Sequence, residues 1–329
     1  GTYSFLNVQP AARVAAMGGT FISIKDNDLN LALQNPALLN PSMSKFIAFS
    51  GVSLFDGIKF GDVAFAKEFG KLGMFDVYMH YGNYGTFKET DVTGEILGNF
   101  KAADYAFGFG WSKQLNRYFS TGANLKGIYS DYYIESSVGL AADIGLAFHD
   151  SVRFWTASIV AKNAGRQIKP YTEGLYEPLP AEVQAGVSKG FAHMPFRLHV
   201  NFRHCEKWNI TYVDSADDAN VDLVTGETTF KKIGFFKKLT RHMVLGTEFS
   251  ITKHFLISAS YNLQRRGELV VDSRKGVIGL SFGFGVKVNK FIISYGRSTY
   301  HLAGASNSFS VAVNLGQLIT KKTVREAAD

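Results

Sequence analysis

Between Lys275 and Val288 the chain reads KGVIGLSFGFGVKV, and that stretch constrains the fold more than any other. In steps of two, Ile278, Leu280, Phe282, Phe284, Val286 and Val288 share one face, while Gly279, Ser281, Gly283, Gly285 and Lys287 share the other. Strict alternation over that length is a β-strand with one apolar face, and no helical period fits it. The opposite face is mostly glycine and serine, too thin for the solvated surface of a soluble sandwich. A bulky apolar face backed by a small or polar one suits a membrane barrel, with lipid outside and lumen inside.

The pattern recurs. Tyr105, Phe107, Phe109 and Trp111 alternate with Asp104, Ala106, Gly108 and Gly110. Val138, Leu140, Ala142, Ile144, Leu146 and Phe148 alternate with Gly139, Ala141, Asp143, Gly145 and Ala147. Phe196 to Phe202 and Phe309 to Leu315 repeat it. From Lys45 onward the alternation predicts fourteen strands, over about 45–55, 58–69, 72–84, 100–114, 117–130, 135–149, 152–164, 181–191, 195–206, 240–251, 254–265, 275–288, 290–300 and 306–319. The predicted fold is therefore all-β, a 14-stranded antiparallel transmembrane β-barrel. Short joins such as Gly70-Lys71 and Asp150-Ser151 alternate with the longer ones 85–99, 165–180, 207–239, 266–274 and 301–305. That layout, with an even strand number, predicts long loops outside the cell and both termini in the periplasm of an outer membrane.

Residues 1–44 do not alternate. Pro10, Gly18-Gly19 and the pairs Asn35-Pro36 and Asn40-Pro41 punctuate them as turns and short helical pieces. Small inward side chains would leave a lumen unfilled, so residues 1–44 are read as a hatch within a barrel of 45–319, with 320–329 as a periplasmic tail. The chain opens at Gly1-Thr2-Tyr3 and is read as a mature form whose signal peptide has been removed. No apolar run approaches the length of a helical span, and Cys205, the single cysteine, allows no disulfide. Aromatic belts are expected at Phe69, Trp111, Phe119, Phe148, Trp155, Phe196 and Phe255 on the short-turn side. On the loop side they fall at Tyr81, Tyr84, Tyr129, Tyr132, Tyr133, Tyr295 and Tyr300.

Catalytic patterns dissolve on inspection, and no enzyme, cofactor or metal is expected. Gly279 to Gly283 matches the nucleophile-elbow spacing, but the strand alternation runs straight through it. Asp26, Asp28 and Asn30 open like a calcium loop, yet Leu31 and Ala37 stand where glycine and glutamate are needed. His204, Cys205 and Glu206 are neighbours that a strand would point to opposite faces. Asp76, His80, Asp104, Lys126, Asp143, Glu182, Arg197, Arg203 and Glu248 all fall on the inward face, and their spread favours a network anchoring the hatch over a catalytic pair. The basic cluster Lys231, Lys232, Lys237, Lys238 and Arg241 is a candidate contact for lipid or lipopolysaccharide.

Two stretches carry a family resemblance. Arg13 to Gly19, with Asp26-Asn27-Asp28 and Asn35-Pro36-Ala37-Leu38-Leu39, resembles the amino-terminal hatch of the FadL-like barrels of Bacteroidetes. Gly165 to Tyr171, continuing through Tyr176 to Pro180 and Gln184 to Lys189, is similar to the barrels of the type IX secretion system in particular. The resemblance runs along the whole chain, although Lys321 to Glu326 follow the last strand where such barrels commonly end on an aromatic residue. It implies a non-enzymatic component of the attachment complex, tethering the surface protein PorZ beside PorU and PorV and so supporting attachment of cargo to anionic lipopolysaccharide. A FadL-like transporter of hydrophobic small molecules is the alternative. For a tether, Tyr171 and Tyr176 in the Tyr- and Pro-rich loop 165–180, with Arg265 and Arg266 on the neighbouring rim, are the candidate partner contacts.

Overall fold

The computed structural model describes residues 1–210, 219–221, 228–230, 234–269, 278–301 and 304–318. The predicted strand 275–288 and loops 207–239, 266–274 and 301–305 thus lie partly outside these residues, as do Lys231, Lys232 and the tail 320–329. Fourteen strands form a closed antiparallel barrel. In chain order they begin with β1 (Phe46–Ser53), β2 (Lys59–Glu68), β3 (Met74–Thr90), β4 (Ile96–Gln114) and β5 (Phe119–Tyr132). β6 (Glu135–Asp150), β7 (Trp155–Lys169), β8 (Glu182–Gly190) and β9 (Phe196–Phe202) follow. A short ribbon, β10 (Ala219–Val221) with β11 (Thr228–Phe230), forms a separate two-stranded sheet. The wall resumes with β12 (Met243–Thr252), β13 (Phe255–Asn262), β14 (Leu280–Val288), β15 (Phe291–His301) and β16 (Gly304–Asn314). β1 closes the ring on β16, from Phe46 opposite Asn314 to Ser53 opposite Asn307. Closure removes the free sheet edge that hydrocarbon could not satisfy.

Each barrel strand overlaps one of the fourteen predicted spans, because a period of two fixes both the backbone and the face. In β6, Val138, Leu140, Ile144 and Leu146 are exposed, while Gly139, Ala141, Asp143, Gly145 and Ala147 between them are buried. The departures sit at the loop end. What reads as loop 85–99 is largely strand, since β3 runs to Thr90 and β4 starts at Ile96. β13 stops at Asn262, whose side-chain oxygen accepts from the Arg265 N–H at 2.9 Å and turns the chain into helix α4 (Leu263–Leu269). Helix α3 (Phe235–Arg241) likewise occupies part of the expected loop 207–239 and the start of the predicted span 240–251. Ile278 does not face outward with the β14 apolar row. It is fully buried ahead of a turn at Gly279, whose φ of +87° interrupts the alternation.

Residues 1–44 fold into short pieces, among them α1 (Ala12–Ala16) and α2 (Leu29–Ala32). Asn35 and Asn40 each start a single 3-10 turn with proline next in line. Their side-chain oxygens accept from the N–H of Ala37 at 3.0 Å and of Ser42 at 3.1 Å. The apolar core lies between this segment and the inward wall. Leu29, Leu39 and Met43 pack on Phe46, Ala48, Ala64 and Met74, and Tyr3, Phe5 and Leu6 on Val52, Phe60 and Ile128. α1 lies along β13 to β16, and the Pro36 turn along β4 to β6.

Candidate functional site

The polar chemistry of the chain is gathered where residues 1–44 meet the wall. Hydroxyls and amides on inward strand positions donate to backbone carbonyls of this segment. Ser298 Oγ reaches the Ala15 carbonyl and Ser260 Oγ the Ala16 carbonyl, both at 2.7 Å, and Asn262 Nδ2 the Gly18 carbonyl at 2.9 Å. Across the barrel, Ser120 Oγ donates to the Ala37 carbonyl at 2.7 Å and Ser188 Oγ to Ser23 at 2.6 Å. A buried carbonyl without a partner is costly, so these contacts tie the segment to the wall along its length.

Glycines leave the room for this approach. A Cβ on Gly122 would stand 2.5 Å from the Pro36 carbonyl carbon, and one on Gly283 would stand 2.7 Å from Ala16 Cβ.

Arg13 is the strongest single tie. Its Nε donates to Glu248 Oε1 at 2.8 Å and its Nη2 to Oε2 at 3.1 Å, a bidentate grip, while Nη1 meets Asp26 at 2.7 Å and Asp28 at 3.4 Å. Burial disfavours the Arg13 charge, but Asp26, Glu248 and Asp28 outweigh it and hold its pKa well above the ordinary value. Burial also pushes the Asp28 carboxyl upward, against the pull of Arg13. Arg197 adds a bond to Glu248 at 3.4 Å. Asp26 and Asp28 lie 13 and 15 residues from Arg13, and Glu248 lies 235 away. The inward parity of Glu248 and Arg197 was legible, and for Arg13 the signal was an arginine in an otherwise alanine-rich helical turn, since such a charge is rarely buried without a partner.

The other inward charges form separate clusters. Lys126 Nζ lies 2.7 Å from Asp143 and donates to Asn163 Oδ1 at 2.8 Å, and Lys162 Nζ donates to Gln34 in the amino-terminal segment at 3.2 Å. Arg203 grips Glu182 through two bonds of 2.9 Å. Asp104 accepts from the hydroxyls of Tyr84 at 2.5 Å and Tyr132 at 2.8 Å, and from Ser130. Tyr84 and Tyr132 therefore belong to the lumen and not to the outer aromatic belt. Both are even-numbered on strands whose even positions point inward, so parity already placed them there. His80 lies between Asp62, at 2.5 Å, and the Phe5 carbonyl, at 3.1 Å. Asp76 is buried with neither oxygen hydrogen-bonded. A cavity of about 220 Å³ lies near the short-turn end, lined by Arg13, Arg197, Leu256, Ser258, Lys287 and Ile292.

The four expected partner contacts do not share one surface. Tyr171 turns inward, stacked on Tyr132 with ring centres 5.3 Å apart and 6.4 Å from Tyr3. Tyr176 faces outward and is 62% exposed. Arg265 is buried on α4 beside Gly19, and Arg266 is half-buried on the same helix beside Gly279. The helix in place of a longer strand is what turns Arg265 inward. Of the basic cluster, Lys237 and Lys238 lie on α3, and the Arg241 guanidinium folds back over Gly267. His204 and Glu206 pair at 3.3 Å at the rim, next to an exposed Cys205.

No protein-family model matches the chain, and no curated protein matches it significantly. Solved structures do. The toluene transporter TodX of Pseudomonas putida superposes with a TM-score of 0.54 at 10% identity, covering 92% of this chain and 96% of TodX. A FadL homologue from Pseudomonas aeruginosa does so with a TM-score of 0.50 at 12% identity, covering 92% of this chain and 98% of its own. With fourteen strands closed on an apolar exterior, the chain has the fold of the FadL-like outer-membrane barrels.

Proposed function

We propose that this chain is a PorQ-type anchor of the type IX secretion attachment complex. It sits in the outer membrane with its long loops outside and both termini in the periplasm. There it tethers the surface protein PorZ, together with PorU and PorV, and so supports attachment of secreted cargo to anionic lipopolysaccharide. The observation that carries an anchoring role is the cross-braced lumen. The Arg13–Glu248 grip and hydroxyl contacts from opposite walls fasten residues 1–44 on several sides, which suits a rigid scaffold better than a conduit. The partner itself is supported by the family resemblance of Gly165 to Lys189. Of the four candidate contacts, Tyr176 is the one exposed to meet it.

A transporter of hydrophobic small molecules is the second reading. It is favoured by the likeness to TodX and by the partly apolar cavity beside Leu256 and Ile292. The two separate in one pair of measurements. An anchor retains PorZ at the cell surface and releases it to the medium on deletion of the barrel, and its purified form does not speed hydrophobic uptake into liposomes. Full surface retention of PorZ without the barrel, with toluene uptake above that of protein-free liposomes, would replace the anchor by the transporter.

A further inference from the structure

On one flank the apolar wall is too short to cross a membrane unaided. β9, the shortest barrel strand at seven residues, presents Phe196, Leu198, Val200 and Phe202 outward. At about 3.4 Å per residue and a tilt of about 40°, that row rises roughly 15 Å, against an apolar band of about 25 Å. Phe202 is paired with Met243, where β12 begins, and the chain on both sides of this last pair then builds an aromatic ledge. Trp208 stacks on His242 at 5.8 Å, and its ring lies 5.1 Å from that of Phe235, which meets Phe236 at 5.7 Å. His242 is buried and clamped to the Arg203 carbonyl at 2.7 Å, so the ledge is fastened to the wall. Trp208, Phe235 and Phe236 are nonetheless 50%, 60% and 78% exposed, and Lys237 and Lys238 follow them directly on α3.

We infer that α3 and Trp208 form an interfacial anchor. The three rings seat among acyl chains at the loop-end boundary of the bilayer and complete the apolar band where β9 ends. The two lysines engage the phosphates of lipid headgroups. What selects a lipid surface over a protein is the order of the exposed residues: aromatics followed at once by lysine match the layered chemistry of that boundary. Arg241, turned onto α4, holds the helix in place and does not take part in the phosphate contact. The inference rests on the membrane location proposed above and not on the tethered partner.

The test uses the full chain with Cys205→Ser, reconstituted in nanodiscs of phosphatidylcholine with phosphatidylglycerol. Single cysteines carry a nitroxide at Phe236→Cys, at Phe282→Cys on the lipid-facing wall, and at Val92→Cys in the fully exposed β3–β4 turn. The expected result is that position 236, like 282, is shielded from a water-soluble nickel chelate and open to oxygen, whereas 92 is the reverse. A label at 236 as accessible to nickel as that at 92, with 282 shielded, overturns the anchor alone; 282 open to nickel overturns the membrane location as well. The double variant Lys237→Glu, Lys238→Glu is expected to lower phosphatidylglycerol retention through detergent extraction about tenfold, while free inorganic phosphate at matched concentration leaves that retention unchanged. Unaltered retention in the variant removes the phosphate contact from the proposal.

Discussion

Strands β3 to β7 run for 14 to 19 residues, whereas β8, β9 and β12 to β16 run for 7 to 11. The barrel thus has a tall wall and a short one, and the two end differently. On the tall side, β3 leaves β2 at Asn83 and β4 leaves β5 at Ala102. The hairpin beyond them, with Phe87 stacked on Phe100 at 5.3 Å, runs past both ladders, and Phe100 packs on Tyr133 just after β5 with ring centres 4.8 Å apart. On the short side α3 and α4 take over where the strands stop. Both walls hold residues 1–44 by hydroxyl contacts and glycine clearance, Ser260 and Gly283 on the short wall and Ser120 and Gly122 on the tall one, but among the described residues the ion pair to this segment comes from the short wall, where Arg13 grips Glu248. A charge pair concentrates its effect at one point, whereas shape spreads it over a surface.

That contrast breaks most sharply at Glu248. Glu248→Ala leaves Arg13 buried beside Asp26 and Asp28 without its bidentate partner, and is expected to cost about 3–5 kcal/mol. Thermal unfolding in detergent reads the loss, and limited proteolysis within 20–44 reads whether the amino-terminal segment has loosened. Equal stability and unchanged cleavage would mean that shape alone holds it. Gly122→Ala probes the tall wall in turn. Its Cβ would press on the Pro36 turn, for an expected cost of about 1–3 kcal/mol with the charge grip intact. A cost as large as that of Glu248→Ala would erase the distinction between the walls. The smallest effect runs the other way. Asp76→Asn, on β3, replaces a buried and unbonded carboxylate by a neutral amide and is expected to raise stability by about 1 kcal/mol. A lower melting temperature in that variant would show that the carboxylate has a partner in solution.

How far residues could be read in advance follows from the same geometry. Phe107, Ile144 and Phe282 were legible as outward, and Asp104, Asp143 and Glu248 as inward, because each lies within an unbroken period of two. Tyr84 and Tyr132 were legible by that rule too, and the belt assignment failed by weighing residue type above parity. The ends of strands were less accessible. Leu263 to Leu269 carries no strand-breaking residue ahead of it, and only the Asn262 side chain meeting the Arg265 amide starts the helix that buries Arg265. Tyr171 and Tyr176, five residues apart in one loop, point to opposite environments that no local pattern distinguishes.

By itself the sequence determined the strands, their faces and the sign of the charges in the lumen, since each follows from alternation over ten residues or so. Only the tertiary structure decided which charges meet. Arg13 and Glu248 lie 235 residues apart, and their bond exists because α1 settles along β13 to β16 while the wall closes around it. A period of two states where a side chain points. The group it faces across a lumen depends on where another segment has folded, and that information is not local.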